Sequence, residues 1–250
     1  MPLTPSHAVV ALPLRRWLPP TALAVGAMVP DLPYYVPLPF SSETTHGWPG
    51  AVLVDVPAGA ALLALFTLVL RTPLTALAPE GLRARLPDRA PSGRWAAVAA
   101  GLFAGVVTHL LWDAFTHADG FAVVHWPVMR APVAGVHRVF NVVMYASSLG
   151  GLAVLAGWSA AWYRRAPVRP GRWPGVPPRV RALVLVAGGA AAIAGAAVLA
   201  SGSPPSLYDL VRSVLLGAMD GCAAVVACYA AVWHARAATG RPGVRPDVPP

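Results

Sequence analysis

Long stretches of apolar residues, almost free of charge, limit this chain more than any other feature. A helix that crosses a lipid bilayer needs about 20 predominantly apolar residues. Five stretches reach or approach that length, at positions 48–70, 95–112, 139–163, 182–200 and 213–232. Only 12% of the 250 residues are charged, whereas about a quarter are charged in water-soluble domains. The stretches therefore predict an all-α, polytopic helical membrane bundle and argue against a water-soluble single domain.

A sixth stretch, at positions 17–38, is interrupted by prolines, and the residue before each proline disfavours helix. We therefore expect about six spans, with a broken or re-entrant N-terminal hairpin that turns at Pro19 and Pro20. Such a hairpin returns His7 to the level of Asp31, but arms of about 11 residues cover only about 16 Å. Either the hairpin is shallow and enclosed by protein, or His7 is cytoplasmic and is not a ligand. The sequence leaves both alternatives open.

The arginines provide an independent test of this layout. All 19 basic residues are Arg, and 16 of them fall on alternate connections between the apolar stretches. Cytoplasmic loops collect Lys and Arg, so the pattern predicts a multi-pass protein of the cell membrane with both termini in the cytoplasm. The net charge of +9 does not indicate nucleic acid, because the arginines lie between apolar stretches instead of on one soluble face. Membrane lipid is the expected partner.

Composition divides the chain into four predicted parts. Residues 1–163 are expected to form a membrane domain that carries a metal site, and residues 164–181 a basic cytoplasmic linker rich in Pro, Gly and Arg. Residues 182–234 are expected to form a C-terminal helical hairpin, followed by a disordered tail at 235–250. Six of the seven histidines precede the linker, so any chemistry is expected in the first part.

The strongest local pattern is T-H-L-L-W-D-A-F-T-H, in which His109, Asp113 and His117 are spaced by four and four. Each step of four advances about 40° around a helix, so the three side chains share one face. Imidazole and carboxylate groups are suitable metal ligands. A cation would also offset the unfavourable position of Asp113 near the negative end of the helix dipole. The pattern fits polar residues at the membrane interface equally well.

Other polar residues indicate a functional site only when they are considered together. Asp31 follows the second arm of the hairpin, and His46 directly precedes the second apolar stretch; each alone is typical of an ordinary loop residue. Asp55 lies about two turns inside that stretch, where a charge costs several kcal/mol unless it is paired or hydrated. Its position favours burial in the bundle near a cation, with a structural hydrogen bond as the alternative.

The order P-S-H7, V-P-D31, T-T-H46-G and T-H109-x-x-x-D113 resembles an uncharacterised family of bacterial integral-membrane proteins, domain of unknown function family 4184. The opening MPLTPSH and the T-H-L-L-W-D-A-F-T-H segment carry this resemblance. More distantly, the order is similar to that of membrane-bound metal-dependent hydrolases. That similarity implies one or two divalent metal ions, zinc by preference, with the ligands His7, Asp31, His46, His109 and Asp113. The chain departs from the hydrolase pattern after Asp31 and after His46, where Asp55 and His117 are candidates to replace the absent groups.

These observations predict a metal-dependent hydrolase at the outer membrane surface, acting on a lipid or a phosphoester. Asp55 and Asp113 are the expected catalytic residues, because either carboxylate can orient or deprotonate a metal-bound water. One alternative is a transporter or ion-conducting bundle that uses Asp55, His109 and Asp220 as intramembrane titrating sites. A non-catalytic membrane scaffold is a further alternative.

Overall fold

The fold is all-α, as the apolar stretches predict. A computed structural model describes residues 3–87, 95–169, 173–202 and 204–239. Within these ranges the only strands are β1 (Pro132–Ala134) and β2 (His137–Arg138), which pair antiparallel around Gly135 in the left-handed region (φ 53°). Five helices are long and apolar enough to cross a membrane: Trp48–Leu77, Trp95–His125, Val139–Arg165, Pro178–Ala200 and Asp209–Ala238.

The chain divides into two compact units, the first formed by residues 1–65 and 89–166. This unit begins with short helical pieces, none long enough to cross a bilayer. They are α1 (Thr4–His7), a 3-10 turn (Ala8–Val10), α2 (Ala11–Leu14), α3 (Pro20–Gly26) and a 3-10 helix (Val29–Tyr34). The predicted broken hairpin is therefore confirmed, and it contributes no sixth long helix.

Close backbone contacts enclose this hairpin in protein. Helix α3 packs against α9 (Trp95–Thr116), where a Cβ atom on Gly26 would overlap the Leu102 carbonyl and one on Gly105 would overlap the Leu23 carbonyl. At the other arm, the Leu3 amide donates a hydrogen bond of 3.2 Å to the Ser148 hydroxyl. Of the two alternatives left open by the sequence, the enclosed hairpin is the one observed.

The second half of the first unit supplies the long helices around the hairpin. Short helices α4 (Ser42–Thr45) and α5 (Trp48–Gly50) lead into a π-helical turn (Ala51–Asp55) and then α6 (Val56–Leu65). After α9 come α10 (Phe121–His125), a 3-10 turn (Pro127–Arg130), the β-hairpin and α11 (Val139–Arg165). Val29, Ala51 and Val106 form a buried apolar cluster between these elements.

The second unit comprises residues 66–88 and 167–250. Its elements are a π-helical turn (Phe66–Leu70), α7 (Arg71–Leu77), α8 (Glu80–Arg83), α12 (Pro178–Ala200) and α13 (Leu207–Ala238). Helices α12 and α13 approach so closely that a Cβ atom on Gly195 would overlap the Gly217 carbonyl, and one on Gly221 would overlap the Ala191 carbonyl. Small residues at this contact let the two backbones meet.

The ends of the long helices differ slightly from the predicted boundaries. Helix α11 continues to Arg165, α12 begins at Pro178, and α13 continues to Ala238, beyond the predicted hairpin end at 234. The division into membrane domain, linker, hairpin and tail stays a prediction. Five of the arginines used for the topology lie outside the described residues: Arg89, Arg94, Arg172, Arg241 and Arg245.

Candidate metal centre

Four of the predicted ligands, Asp31, His46, His109 and Asp113, converge in the first unit. One ligand atom from each can be chosen so that all four lie within 4.8 Å of one another. Asp31 comes from the 3-10 helix after α3, His46 from the end of α4, and His109 and Asp113 from α9. The spacing of four places the last two on one helical face, with His109 Nε2 and Asp113 Oδ2 3.0 Å apart. We call these four residues the ligand cluster.

Backbone carbonyls orient both imidazoles of the ligand cluster. His109 Nδ1 lies 2.9 Å from the Ala27 carbonyl oxygen, and His46 Nδ1 lies 2.8 Å from the Ser42 carbonyl oxygen. Because a carbonyl oxygen only accepts, each Nδ1 carries the hydrogen, and in the neutral ring Nε2 keeps its lone pair. The two Nε2 atoms are 3.3 Å apart. Hydrogen bonding of one ring nitrogen is the usual way that proteins present the other nitrogen to a metal.

Asp31 is held through one of its two oxygens. The Thr4 hydroxyl donates a hydrogen bond of 2.5 Å to Asp31 Oδ2 and lies 2.6 Å from the Tyr35 hydroxyl. Asp31 Oδ1 is buried without a hydrogen-bond partner. It lies 3.6 Å from His109 Nε2 and 3.8 Å from His46 Nε2. One carboxylate oxygen is thus free to serve as a ligand.

The Asp113 carboxylate lies among the imidazole rings of the site. The Thr116 hydroxyl donates to its Oδ1 over 3.3 Å, whereas its Oδ2 is buried without a hydrogen-bond partner. Besides His109 Nε2, Asp113 Oδ2 approaches His117 Nδ1 at 3.0 Å and His46 Nε2 at 3.5 Å. These distances place three imidazole nitrogens around one carboxylate oxygen, an arrangement that a shared cation would stabilise.

His7 lies directly beside the ligand cluster, because the hairpin is enclosed. Its ring stacks on His109 with 4.2 Å between centroids, and its Nε2 is 3.6 Å from Asp113 Oδ1. Both ring nitrogens are buried without a hydrogen-bond partner. Burial, reinforced by the neighbouring His109, lowers the pKa of His7 to about 3, so the ring is neutral at physiological pH. A neutral imidazole is the form that binds metals.

His117 and Asp55 flank the ligand cluster in different ways. The His117 side chain is 18% exposed, and its Nε2 has no hydrogen-bond partner. Asp55 ends the first π-helical turn, is 1% exposed, and has no hydrogen-bond partner for either carboxylate oxygen. The turn that Asp55 ends packs against α9 and α4, the helices that position Asp113, His109 and His46. π-Helical turns within α-helices frequently occur at functional sites.

The remaining titratable residues of interest are not part of this group. His125 and His137 are exposed on the loop side of the first unit, where His125 stacks on Phe121 with 4.2 Å between centroids. Asp220 and His234 belong to the second unit, and His234 Nε2 donates to the Val69 carbonyl over 2.9 Å.

Sequence reasoning missed the threonines that support the ligand cluster. Thr4 and Thr116 each lie three residues, about one helical turn, from a predicted site residue, and their hydroxyls bind Asp31 and Asp113. Thr45 donates to the Pro30 carbonyl over 2.8 Å and so joins the segment of His46 to that of Asp31. The one-turn spacing from Asp113 was a usable signal for Thr116, whereas the bonds of Thr4 and Thr45 depend on tertiary contacts.

A cavity of about 540 Å³ opens beside the ligand cluster. Its wall includes three of the site residues, His46, Asp113 and His117. The cluster is therefore accessible to a small molecule from one side, while His7, Asp31 and His109 are buried behind it.

Fold and site together define a helical membrane protein with a buried His/Asp group that can bind a metal ion. The chain belongs to the family described as Domain of unknown function (DUF4184), whose profile matches residues 1–231. The resemblance to that family is thereby confirmed. No curated protein and no solved structure matches the chain.

Proposed function

We propose that this protein is a metal-dependent hydrolase whose site opens at the outer membrane surface, with zinc as the preferred ion and a lipid or phosphoester as substrate. The observation that carries the proposal is the convergence of four ligand atoms within 4.8 Å in a largely buried site. The site opens into a cavity, which a purely structural group of polar residues would not require.

The charges of the cluster support a cation. Two buried carboxylates cost several kcal/mol each unless a positive charge compensates them. Imidazole nitrogens lie within 3.8 Å of Asp31 Oδ1 and within 3.5 Å of Asp113 Oδ2, and His46 and His109 point their Nε2 lone pairs toward the same space. Nitrogen and oxygen ligands of this kind suit Zn²⁺. We propose His7 and His117, which adjoin Asp113, as further ligands.

Each residue then has a separate role. A bound zinc ion lowers the pKa of a coordinated water to about 7 and polarises an acyl or phosphoryl oxygen. Asp113 holds the site together through His109 and His117. Asp55 is the proposed general base, because its two oxygens are buried and have no hydrogen-bond partner, and the π-helical turn that it ends packs against α9 and α4, which carry the ligands.

The orientation of the site is also proposed. Arg164 and Arg165 end the span Val139–Arg165, about 16 residues after Ser148, whose hydroxyl accepts a hydrogen bond from Leu3 near the site. The arginines of this helix thus lie away from the site, which favours an outward-facing site. Because Thr4 binds Asp31, we propose that the amino-terminal segment lies on the same side, a revision of the expected cytoplasmic amino terminus.

Metal analysis of the detergent-purified protein tests the proposal directly. After dialysis against a weak chelator, we expect about one or more zinc ions per chain in the wild type and a large loss in His109→Ala and Asp113→Ala. His137→Ala is the matched control, because that exposed histidine lies outside the cluster, and it should retain the metal. A well-folded wild type without metal would contradict the proposal.

An ion-conducting bundle is the second candidate, and the burial of Asp55 inside a span favours it. Buried acids inside membrane spans often mark ion pathways. This alternative predicts pH-dependent flux in proteoliposomes that Asp55→Asn abolishes. Zinc-dependent hydrolysis without such flux would eliminate it.

A further inference from the structure

The cavity beside the ligand cluster has walls of two kinds, and together they indicate a substrate class. We infer that the site acts on a membrane-borne amphiphile whose reacting head carries no negative charge, such as an acyl ester or amide, in preference to a phosphoester. The inference rests on the proposed hydrolase function and selects between its two substrate classes.

One wall of the cavity is apolar, and its large side chains are exposed on the outside of the helices. Trp48, Leu111 and Phe121 line it and are 62%, 55% and 66% exposed. All three belong to helices long and apolar enough to cross a membrane. In a bilayer, large apolar side chains exposed on such helices meet lipid or the interface, where Trp is enriched. An alkyl chain can therefore extend from the site along this wall into the membrane.

The polar part of the wall carries acids. Glu43 and Asp119 are exposed on it, and Asp113 lies at the cluster end. No arginine is among the described residues that line the cavity. Arg130, on the neighbouring loop, donates to the Ala118 carbonyl over 3.4 Å and is not on the wall.

This charge distribution disfavours an anionic head group. Proteins that bind phosphate typically supply Arg or Lys, which form charge-assisted hydrogen bonds with its oxygens. Here a phosphate would approach a metal site across two additional carboxylates, and like charges reduce affinity. An uncharged ester or amide, or a cationic head, does not meet this repulsion.

The proposed reaction balances as a simple hydrolysis. Water oxygen adds to the acyl carbon, the bond from that carbon to the leaving oxygen or nitrogen breaks, and an acid and an alcohol or amine are released. The proton lost by water would pass to Asp55, which would then return it to the leaving oxygen or nitrogen as that group departs.

Binding of matched amphiphiles tests the inference without relying on turnover. The probes are octanohydroxamic acid (octanohydroxamate), which is uncharged in neutral solution and can chelate zinc, octylphosphonate, which is anionic, and butanohydroxamic acid (butanohydroxamate), which has a shorter chain. Titration calorimetry would use the full chain, loaded with Zn²⁺, in nanodiscs of zwitterionic lipid, with metal-free protein as the background for partitioning. We expect octanohydroxamate to bind at least about tenfold more tightly than either of the other probes.

Two sets of variants assign the effect to the two walls. Glu43→Gln combined with Asp119→Asn should improve octylphosphonate binding about threefold or more and leave the hydroxamates unchanged, whereas Glu80→Gln in the second unit should change neither. Leu111→Ala should weaken octanohydroxamate several-fold and spare butanohydroxamate. Leu149→Ala, which removes a 64% exposed leucine from α11, is its control.

The outcomes separate the two proposals. Equal or tighter binding of octylphosphonate to zinc-loaded protein would overturn the substrate inference and leave the hydrolase proposal standing. Equal affinity for the long and short hydroxamates would overturn the membrane-borne character of the substrate. Failure to load zinc, measured on the same sample by elemental analysis, would overturn the hydrolase proposal and the inference with it.

Discussion

The two units of the chain share an apolar composition but handle polar groups in opposite ways. Within the described residues, every buried polar or charged side chain except Thr75 belongs to the first unit. That unit is built from short helices, 3-10 turns and a π-helical turn around α9. In the second unit, α12 and α13 are long and regular, and they meet through glycines.

This difference has a physical origin. A regular helix satisfies its own backbone hydrogen bonds, so two such helices can pack in a membrane with small side chains alone. Where helices break, backbone groups need partners, and side chains from different segments converge. The carbonyls of Ala27 and Ser42, both at ends of short helices, orient His109 and His46 in this way. The breaks between short helices in the first unit can therefore bring metal ligands together. The regular helices α12 and α13 cannot do so by the same means.

The largest expected effect is on metal affinity. Asp31→Ala removes a carboxylate that has a free oxygen beside two imidazoles, and we expect zinc affinity to fall by more than about 100-fold. Asp220→Ala, which removes an acid of the second unit, is the control and should leave the affinity unchanged. Competition with a chromophoric chelator measures both values. Equal zinc affinities for the two variants would contradict the assignment of metal binding to the first unit alone.

A substitution of Asp55 should distinguish metal binding from catalysis within the first unit. We expect Asp55→Asn to retain zinc but to lower hydrolysis of an acyl ester about 100-fold, because the amide cannot accept the proton from water. Metal content and single-turnover rate are measured on one preparation. A parallel loss of metal would make Asp55 a ligand instead of a base.

Backbone contacts should matter differently in the two units. Gly105→Ala forces α9 away from α3, and because His109 and Ala27 lie on these two segments, we expect zinc affinity to fall about 10- to 100-fold. Gly217→Ala forces α12 and α13 apart to a similar degree but should leave zinc affinity unchanged. Both variants should be destabilised by about 1–3 kcal/mol, which thermal unfolding in detergent can follow. Metal loss in Gly217→Ala would show that the site depends on the second unit.

The smallest effect concerns a supporting hydroxyl. Thr4→Val removes the hydrogen bond to Asp31 Oδ2 at nearly constant volume, and we expect about a tenfold decrease in zinc affinity. Thr75→Val, at the one buried threonine described in the second unit, is the matched control. Unchanged affinity in Thr4→Val would indicate that Asp31 needs no positioning.

Local patterns predicted part of the site well. The spacing of four between His109 and Asp113 is a property of any helix, so their shared face followed from the sequence and is observed. The burial of Asp55 inside a span followed equally from its position in the apolar stretch, but the structural hydrogen bond that was the alternative is not observed. By contrast, Thr4 and Thr45 gave no sign of their hydrogen bonds to Asp31 and Pro30, because these join segments distant along the chain.

The sequence by itself determined the class of protein, the long apolar helices and the interruption of the first segment by prolines, since all three depend on composition and local backbone geometry. Only the tertiary structure decided that this segment is an enclosed hairpin and that His7 reaches the ligand cluster. The reason is that the approach of α3 to α9 depends on which glycines face each other, Gly26 and Gly105, and a helical repeat alone does not specify a partner helix.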